Sequence, residues 1–560
     1  MRAAELARLR PDVLITRCEL GPGEAAGWQA ALPDTPLVVV LLGSDEPARI
    51  DPRPAARSGL IRRRIAGRGA DPYPAAFAEA EREWLRAVTA PDRTARATRV
   101  RSLRGKSVAL VGAGVVNLLT ALRLVRDGYQ VSVLDRAPDP RVAAHWSAYG
   151  CSRGGGDARM FTLTEADGYY RTANSATAAF HLRVGDGGWR VADPSALTAQ
   201  DLAWVDDNAN IPPWLANSYT EDILLFNRVA GQLWREWVRD EPKLFKDVGL
   251  RDGILRLYSD RQHLDAQVVR QRRLGAARRV LTPDDIAERH PALREAHAAR
   301  AFAGGIEVVG FTVQVHEFLA RLVDLLEQAG GALHWERPVA RLHIGADGAP
   351  AGLVTPDGVL RADHYVLSPG AYGGELLAGT ATHGQVHGVL GAWVTVPNPA
   401  PHLEHSLKVG RAGHLTEDTN VTVTTDAHGS PALAIGSGYG WTGSDPANID
   451  PDELALLYRA IEDTAATFFP GAFDAARRSG LLDESRKYCV RPWTASSLPI
   501  LELVDDSGGG LVVVTAGHNT GGFAQAPVVA EAVAAALGGR SHPMHTRYHP
   551  DRLRLFHRQR

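Results

Sequence analysis

Cysteine and lysine are scarce in this chain, and long apolar runs are missing. Three cysteines, Cys18, Cys151 and Cys489, are spread over 560 residues. That spread excludes a secreted disulfide scaffold. There is no CxxC, no HExxH and no His/Cys cluster, so no metal site is expected. Only five of the 62 basic residues are lysine, at 106, 243, 246, 408 and 487. The formal net charge of −2 excludes a polybasic nucleic-acid binder. The longest apolar run near the start, Leu37–Leu42, is far too short for a bilayer span. The first ten residues read as a polar helix and carry no leader pattern. These absences point to a soluble, cytoplasmic protein with no membrane or nucleic-acid partner.

What is present divides the chain unevenly. Residues 1–105 carry 18 arginines against 13 acidic residues, about +5. They hold a β-like run at 37–42 and a helical pattern through Phe77, Ala80, Trp84 and Val88. Asp51–Pro74 reads as irregular chain, and Asp92–Arg104 as a basic linker. Two readings of this extension stand side by side: a segment packed on the main body, or a module that contacts a partner or another subunit. The segment 541–560 reads as a solvated basic tail. Between these ends, Ser107–Val111, Val115–Arg126 and Gln130–Leu134 form a strand–helix–strand opening that implies a parallel sheet. A helix is expected over 317–329, strands over 333–342, 351–355, 364–368 and 511–516, and a helix over 525–537. The Gly/Thr/Val-rich region 385–440 reads as antiparallel.

The first chemical motif is the turn Val111-Gly112-Ala113-Gly114-Val115-Val116-Asn117. It leaves a strand and opens a helix, the context a dinucleotide fingerprint needs. Gly112 permits the tight turn. Gly114 lets a pyrophosphate approach the backbone at a helix N-terminus. Asn117 replaces the usual third glycine, which predicts slightly looser strand–helix packing. Asp135, at the end of the second strand, can accept from both ribose hydroxyls and disfavours a 2′-phosphate; Arg136 follows it. Gly105-Lys106-Ser107 is not a phosphate loop, because it precedes the strand and lacks the upstream glycine.

The second motif lies about 400 residues on: Thr515-Ala516-Gly517-His518-Asn519-Thr520-Gly521-Gly522-Phe523. A second glycine-rich strand-to-helix turn can bring another helix N-terminus to the same ligand. A flavin needs one, because negative charge builds at N1 and C2=O on reduction, whereas NAD does not.

With both turns in place, residues 106–540 resemble the FAD-dependent D-amino-acid oxidase/sarcosine oxidase family. Three further anchors carry the resemblance. Gly156-Asp157-Ala158-Arg159 is similar to the family's flavin-adjacent Gly-Asp-Thr-Arg. Val339, in Arg337–Arg341, is similar to a valine strand that meets adenine through its backbone. Ala362–Ala371, which includes Gly370, is close to a late family strand. The resemblance implies an α/β fold. Its doubly wound, Rossmann-like FAD domain (106–170, 305–384, 486–540) is intertwined with a mixed-sheet α+β substrate domain (171–304, 385–485). It also implies hydride removal from a carbon beside an amine nitrogen to flavin N5, giving an imine.

Site residues follow from the same resemblance. Arg491 matches the arginine that clamps a substrate carboxylate, with a structural ion pair as the alternative. Cys489 matches the cysteine that sarcosine oxidases bond to the flavin 8α carbon, with a buried apolar cysteine as the alternative. The lysine that speeds oxygen reaction in that branch has no counterpart in Ala434–Gly443. Thr162 and Gly521 stand where the branch has Arg and Lys, so sarcosine is an improbable substrate. His518 is the best acid–base candidate of His145, His290 and His518. Arg159 and Arg491 complete the catalytic set. The electron acceptor is O2 or an unknown carrier, so an oxidase and a dehydrogenase both fit. A flavin hydroxylase shares the strand–helix–strand opening but carries a Gly-Asp-Ala turn where this chain has Gly-His-Asn-Thr-Gly-Gly, and a binding or assembly protein with lost activity is the fourth reading. Trp189, Trp204, Trp214, Tyr219, Trp234 and Trp237 are mostly core, with one or two of them free to line a pocket for a bulky amine or amino acid.

Overall fold

The computed structural model describes residues 2–9, 11, 13–17, 20–32, 37–42, 60–65, 73–99, 106–155, 158–166, 180–505 and 509–553. Cys18, Gly156 and Asp157 lie outside them.

Strict alternation in the strand Ser107–Val111 organises the first layer. Val108 and Leu110 point to one face of its sheet, Ala109 and Val111 to the other, as the two-residue period of a strand requires. Both faces are buried, so the run is apolar throughout. The sheet has six strands in the order Ala332–His334, Gln130–Leu134, Ser107–Val111, His364–Leu367, Leu511–Ala516 and Ile500–Asp505. The first five are parallel and the last is antiparallel. One face packs against the helices Val115–Arg126, Pro213–Asp240, Val315–Gln328 and Gly522–Leu537, through residues such as Leu119, Trp234, Leu322 and Val529. The other is covered by a small antiparallel sheet, Arg341–Ile344, Pro350–Thr355 and Gly358–Leu360, which contributes Leu342 and Leu353. Val115–Arg126 is apolar nearly all round because eight of its residues are buried.

A nine-stranded mixed sheet forms the second layer. Its path runs Lys487–Thr494, Val386–Pro397, Pro431–Gly443, Asp418–Thr425, Leu407–Gly410, Arg251–Tyr258, Gly304–Gln314 and Ala158–Thr162, with Ala277–Leu281 also on Gly304–Gln314. Ala392, Val394 and Val396 face the helices Pro451–Phe468 and Pro470–Ser479, and the intervening Trp393 faces the first layer. Three of these strands fall inside segments that the sequence reading assigned to the FAD domain. Continuous strands at 158–162, 304–314 and 487–494 pair in the large sheet and deliver their ends to the cleft between the layers.

The ends of the chain depart further from expectation. Leu60–Ile65 is a strand, and the linker region is helical to Arg99. Leu60–Ile65 joins Val13–Thr16 and Leu37–Leu42 in a parallel three-stranded sheet. The extension docks on the body rather than standing free: Arg82 bonds Ser218 and Glu221 of the helix Pro213–Asp240. Nor is 541–553 a solvated tail. Met544, Tyr548 and Leu553 are buried, and so is Arg552, which bonds both carboxylate oxygens of Glu81 at 2.6 and 2.8 Å and Asp222 at 2.7 Å. Paired charge of opposite sign makes that burial tolerable.

Candidate active site

Strand order reverses at Ser107–Val111, and open α/β sheets bind ligands at the carboxyl ends of strands at such a point. A cavity of about 400 Å³ lies there, bounded by Gly112, Asp135, Ser368 and Ala516, each at or just beyond the carboxyl end of a parallel strand, and on the far side by the large sheet.

The first turn is set by sterics. Gly112 has φ 95°, and a Cβ on it would collide with the carbonyl oxygen of Ser368. A Cβ on Gly114 would meet no protein atom within 4 Å, so the space above it faces the cavity. Asn117 does not loosen the packing as expected. Its Nδ2 donates to the carbonyls of Val111 and Gly112 at 2.8 and 2.9 Å, closing the turn with hydrogen bonds where a glycine would close it by contact. Asn117 lies behind the wall, whereas Ala113, Gly114 and Val116 form it. The Asp135 carboxylate accepts from the backbone N–H groups of Ala113 and Ala137, and each oxygen keeps a further lone pair. Arg136 stacks over the ring of Tyr372 at 4.0 Å, just beyond Gly370.

The second turn is pinned at Asn519. Its N–H donates to Pro492 at 2.7 Å, its Nδ2 to Ser497 at 2.8 Å, and its Oδ1 accepts from Gly521 at 3.0 Å. Gly517 has φ 63° and packs on Thr494. The helix Gly522–Leu537 therefore starts at the cavity, with Thr520, Gly522 and Phe523 in the wall and Gly517 and Gly521 behind it. His518 also lines the cavity. Burial holds its imidazole down to about 4, so the ring is neutral at pH 7. Neither ring nitrogen has a hydrogen-bond partner among the described residues. His290 and His145 lie elsewhere.

Val339 reaches the cavity from the loop between Ala332–His334 and Arg341–Ile344, not from a strand. Arg159 lines it from the strand Ala158–Thr162, with its guanidinium on the carbonyls of Cys151 and Gly155. Arg491 is held by three carbonyls: Val389 at 3.2 Å, Leu390 at 2.8 Å and Gly438 at 2.7 Å. These engage Nε and Nη2 and leave Nη1 without a protein hydrogen bond among the described residues. Cys151 and Val490 line the cavity, and Cys489 lies behind them, buried. The Cys151 thiol donates to the carbonyl of Val490 at 3.4 Å. Its neighbour Cys489 is pulled down by Cys151, Arg159 and Arg491, and Cys151 is pushed up by Cys489 and by burial.

None of the six aromatics expected between the FAD segments lines the cavity; Trp335 and Trp393 do. A Cβ on Gly436 would penetrate the Trp393 ring, and one on Gly391 would lie 2.7 Å from both Arg491 and Trp393. Glycines inside strands at 391, 436 and 438 were the available signal for this close approach. Glu165, Asn420 and Thr422 also line the cavity and had no local signature.

These features define a dinucleotide-binding protein of two interleaved sheets, and its residues fit FAD. Two helix N-termini meet one cavity, Gly114 leaves room for a phosphate, and the buried nitrogens of His518 await a ligand. The chain belongs to the DAO family of FAD-dependent oxidoreductases, whose family model matches residues 107–536. It is similar to a D-amino acid dehydrogenase of Methylobacterium sp. (strain 4-46), 27% identical over 452 residues, covering 78% of this chain and 96% of that protein. Among solved structures it resembles glycine oxidase from Bacillus cereus ATCC 14579, with TM-score 0.53 and 15% identity over 79% of this chain and 98% of that one. A fructosyl peptide oxidase aligns with TM-score 0.53 and 15% identity, over 80% and 93% of the two chains. These structural likenesses concern the fold. No helix among the described residues is long and apolar enough to cross a membrane.

Proposed function

We propose that this flavoprotein oxidises the C–N bond of an amino acid to an imine. Arg491 carries the reading: it lines the cavity, three carbonyls lock its guanidinium through Nε and Nη2, and Nη1 has no protein hydrogen bond among the described residues. A guanidinium so fixed can engage a carboxylate without paying to order its own side chain. FAD, when bound, supplies a two-electron acceptor at N5 for hydride from the carbon beside the amine. The chain's task is to seat that carbon and exclude water. Neutral His518 can donate or accept at the cavity wall without adding charge. The name of the Methylobacterium relative supports an acceptor other than oxygen.

The test is anaerobic bleaching of the flavin by a panel of D- and L-amino acids and simple amines. Reoxidation by a quinone-like dye is then compared with reoxidation by oxygen, with peroxide measured. Arg491→Leu is expected to raise KM for carboxylate substrates about a hundred-fold, since charged hydrogen bonds contribute about 1.5–3 kcal/mol each. An unchanged KM refutes the clamp.

The same reading includes a thioether from Cys489 to the flavin, as the family resemblance implies; Cys489 lies behind the cavity wall, and Cys151, which lines it, is the alternative donor. After acid precipitation the colour is expected to stay with the protein and to be lost in Cys489→Ser. Yellow in the supernatant of the unaltered protein excludes the linkage. Colour that survives Cys489→Ser but not Cys151→Ser assigns it to Cys151.

A further inference from the structure

One cross-strand row of the large sheet runs past the cavity, and two of its members, Asn420 and Trp393, line it. Arg256, Lys408, Asn420, Gly436 and Trp393 are successive register partners on five neighbouring strands, so their side chains share a face. Over this row lies Glu165, in the turn after the strand Ala158–Thr162. Its backbone is pinned: the carbonyl accepts from Asn227 at 2.8 Å, and Asn227 in turn accepts from Gln525 of the helix Gly522–Leu537 at 2.9 Å. The neighbouring Ala166 abuts Gly521, where a Cβ would come within 3.2 Å. Glu165 is thus registered against the second turn as well as the sheet.

The Glu165 carboxylate takes Lys408 Nζ at 2.9 and 3.2 Å and the Thr162 hydroxyl at 3.3 Å. A carboxylate offers about four acceptor sites, so one remains, and Glu165 lines the cavity. Lys408 supplies the countercharge that a carboxylate this buried requires. Asn420 stands directly opposite Lys408 in the ladder, lines the same cavity, and its buried Oδ1 has no partner among the described residues. The Thr422 hydroxyl gives its proton to Ala434 at 3.3 Å and presents lone pairs instead. This end of the cavity therefore presents a carboxylate with one acceptor site to spare, beside the amide of Asn420 and the hydroxyl of Thr422, whereas Arg491 offers a donor in want of an acceptor.

We propose that Glu165, with Asn420 beside it, receives the amino group of the substrate, and that the cavity selects zwitterionic amino acids over plain amines and plain carboxylates. This rests on the reading of the cavity as an amino-acid site and names the residues that recognise the nitrogen. Glu165 and Asn420 are binding residues, and Lys408 is a positioning residue that acts through Glu165.

The test uses the flavin-loaded protein and three ligands of one shape: 2-methylalanine, pivalate and tert-butylamine. None carries hydrogen on the carbon beside nitrogen, so binding is read from the flavin absorbance change without turnover. 2-Methylalanine is expected to bind tightest. Glu165→Gln is expected to weaken it about ten- to a hundred-fold and to leave pivalate unchanged. Asn420→Leu should act in the same direction, and Arg491→Leu should weaken pivalate as well. Equal loss of 2-methylalanine and pivalate in Glu165→Gln, or no loss of either, overturns the proposal. If no amine bleaches the flavin yet Glu165→Gln still discriminates the two ligands, the oxidation reading fails and the recognition stands.

Discussion

Gly112→Ala is expected to purify without flavin. The φ of 95° lies where L-residues rarely go, and an alanine Cβ would drive into the Ser368 carbonyl. Neither side can yield easily. The N–H of Gly112 is held on Leu134 at 2.8 Å, and that of Ser368 on Val111 at 2.9 Å, so both collision partners are tied to neighbouring strand ends. Relief requires displacing the turn that forms the cavity floor. Gly114→Ala is the informative contrast. Its Cβ meets no protein atom within 4 Å, so the apoprotein should keep its stability while flavin binding weakens. Flavin titration together with thermal melting of both apoproteins separates the outcomes. Full flavin content in Gly112→Ala would show that the turn is not under the constraint described.

Arg552→Met is expected to be the most destabilising single change. It strips the countercharge from Glu81 and one of the countercharges from Asp222, both buried, and leaves Arg547 on Asp222 with Arg82 at 4.0 Å. Removing one partner of a buried ion pair costs about 3–5 kcal/mol. The loss should show as a lower urea midpoint and faster proteolysis of the N-terminal extension, because Glu81 is part of the extension's grip on the body. Combining Arg552→Met with Glu81→Leu should recover part of the loss, since the stranded charge goes with its partner. A single variant as stable as the parent would make the cluster energetically idle.

Legibility in the sequence follows the range of the forces involved. The turn at 111–117 could be read because its glycines answer to constraints a few residues long, and the strand Ser107–Val111 because both its faces are buried. The turn at 515–523 was equally local. Asn117 was read as a weakened glycine because its compensating bonds reach back across the turn to Val111 and Gly112. The aromatic candidates failed for a different reason. Trp234 packs on Phe523 and gives its indole N–H to Ala524, which makes it core, and helical spacing cannot say which neighbour a face will meet.

A dinucleotide fold with two helix N-termini at one ligand, and a family whose cofactor is FAD, reside in short segments whose backbone geometry is dictated by their own residues. What surrounds the ligand depends on contacts between distant elements. Strand register puts Trp393, Asn420 and Lys408 in one row, and tertiary packing brings Glu165, from a turn far back in the chain, onto Lys408. The same contacts bring Cys151 rather than Cys489 to the cavity and set the buried Arg552 between Glu81 of the extension and Asp222 of the body. Register and burial are long-range consequences of packing, and no local pattern encodes them.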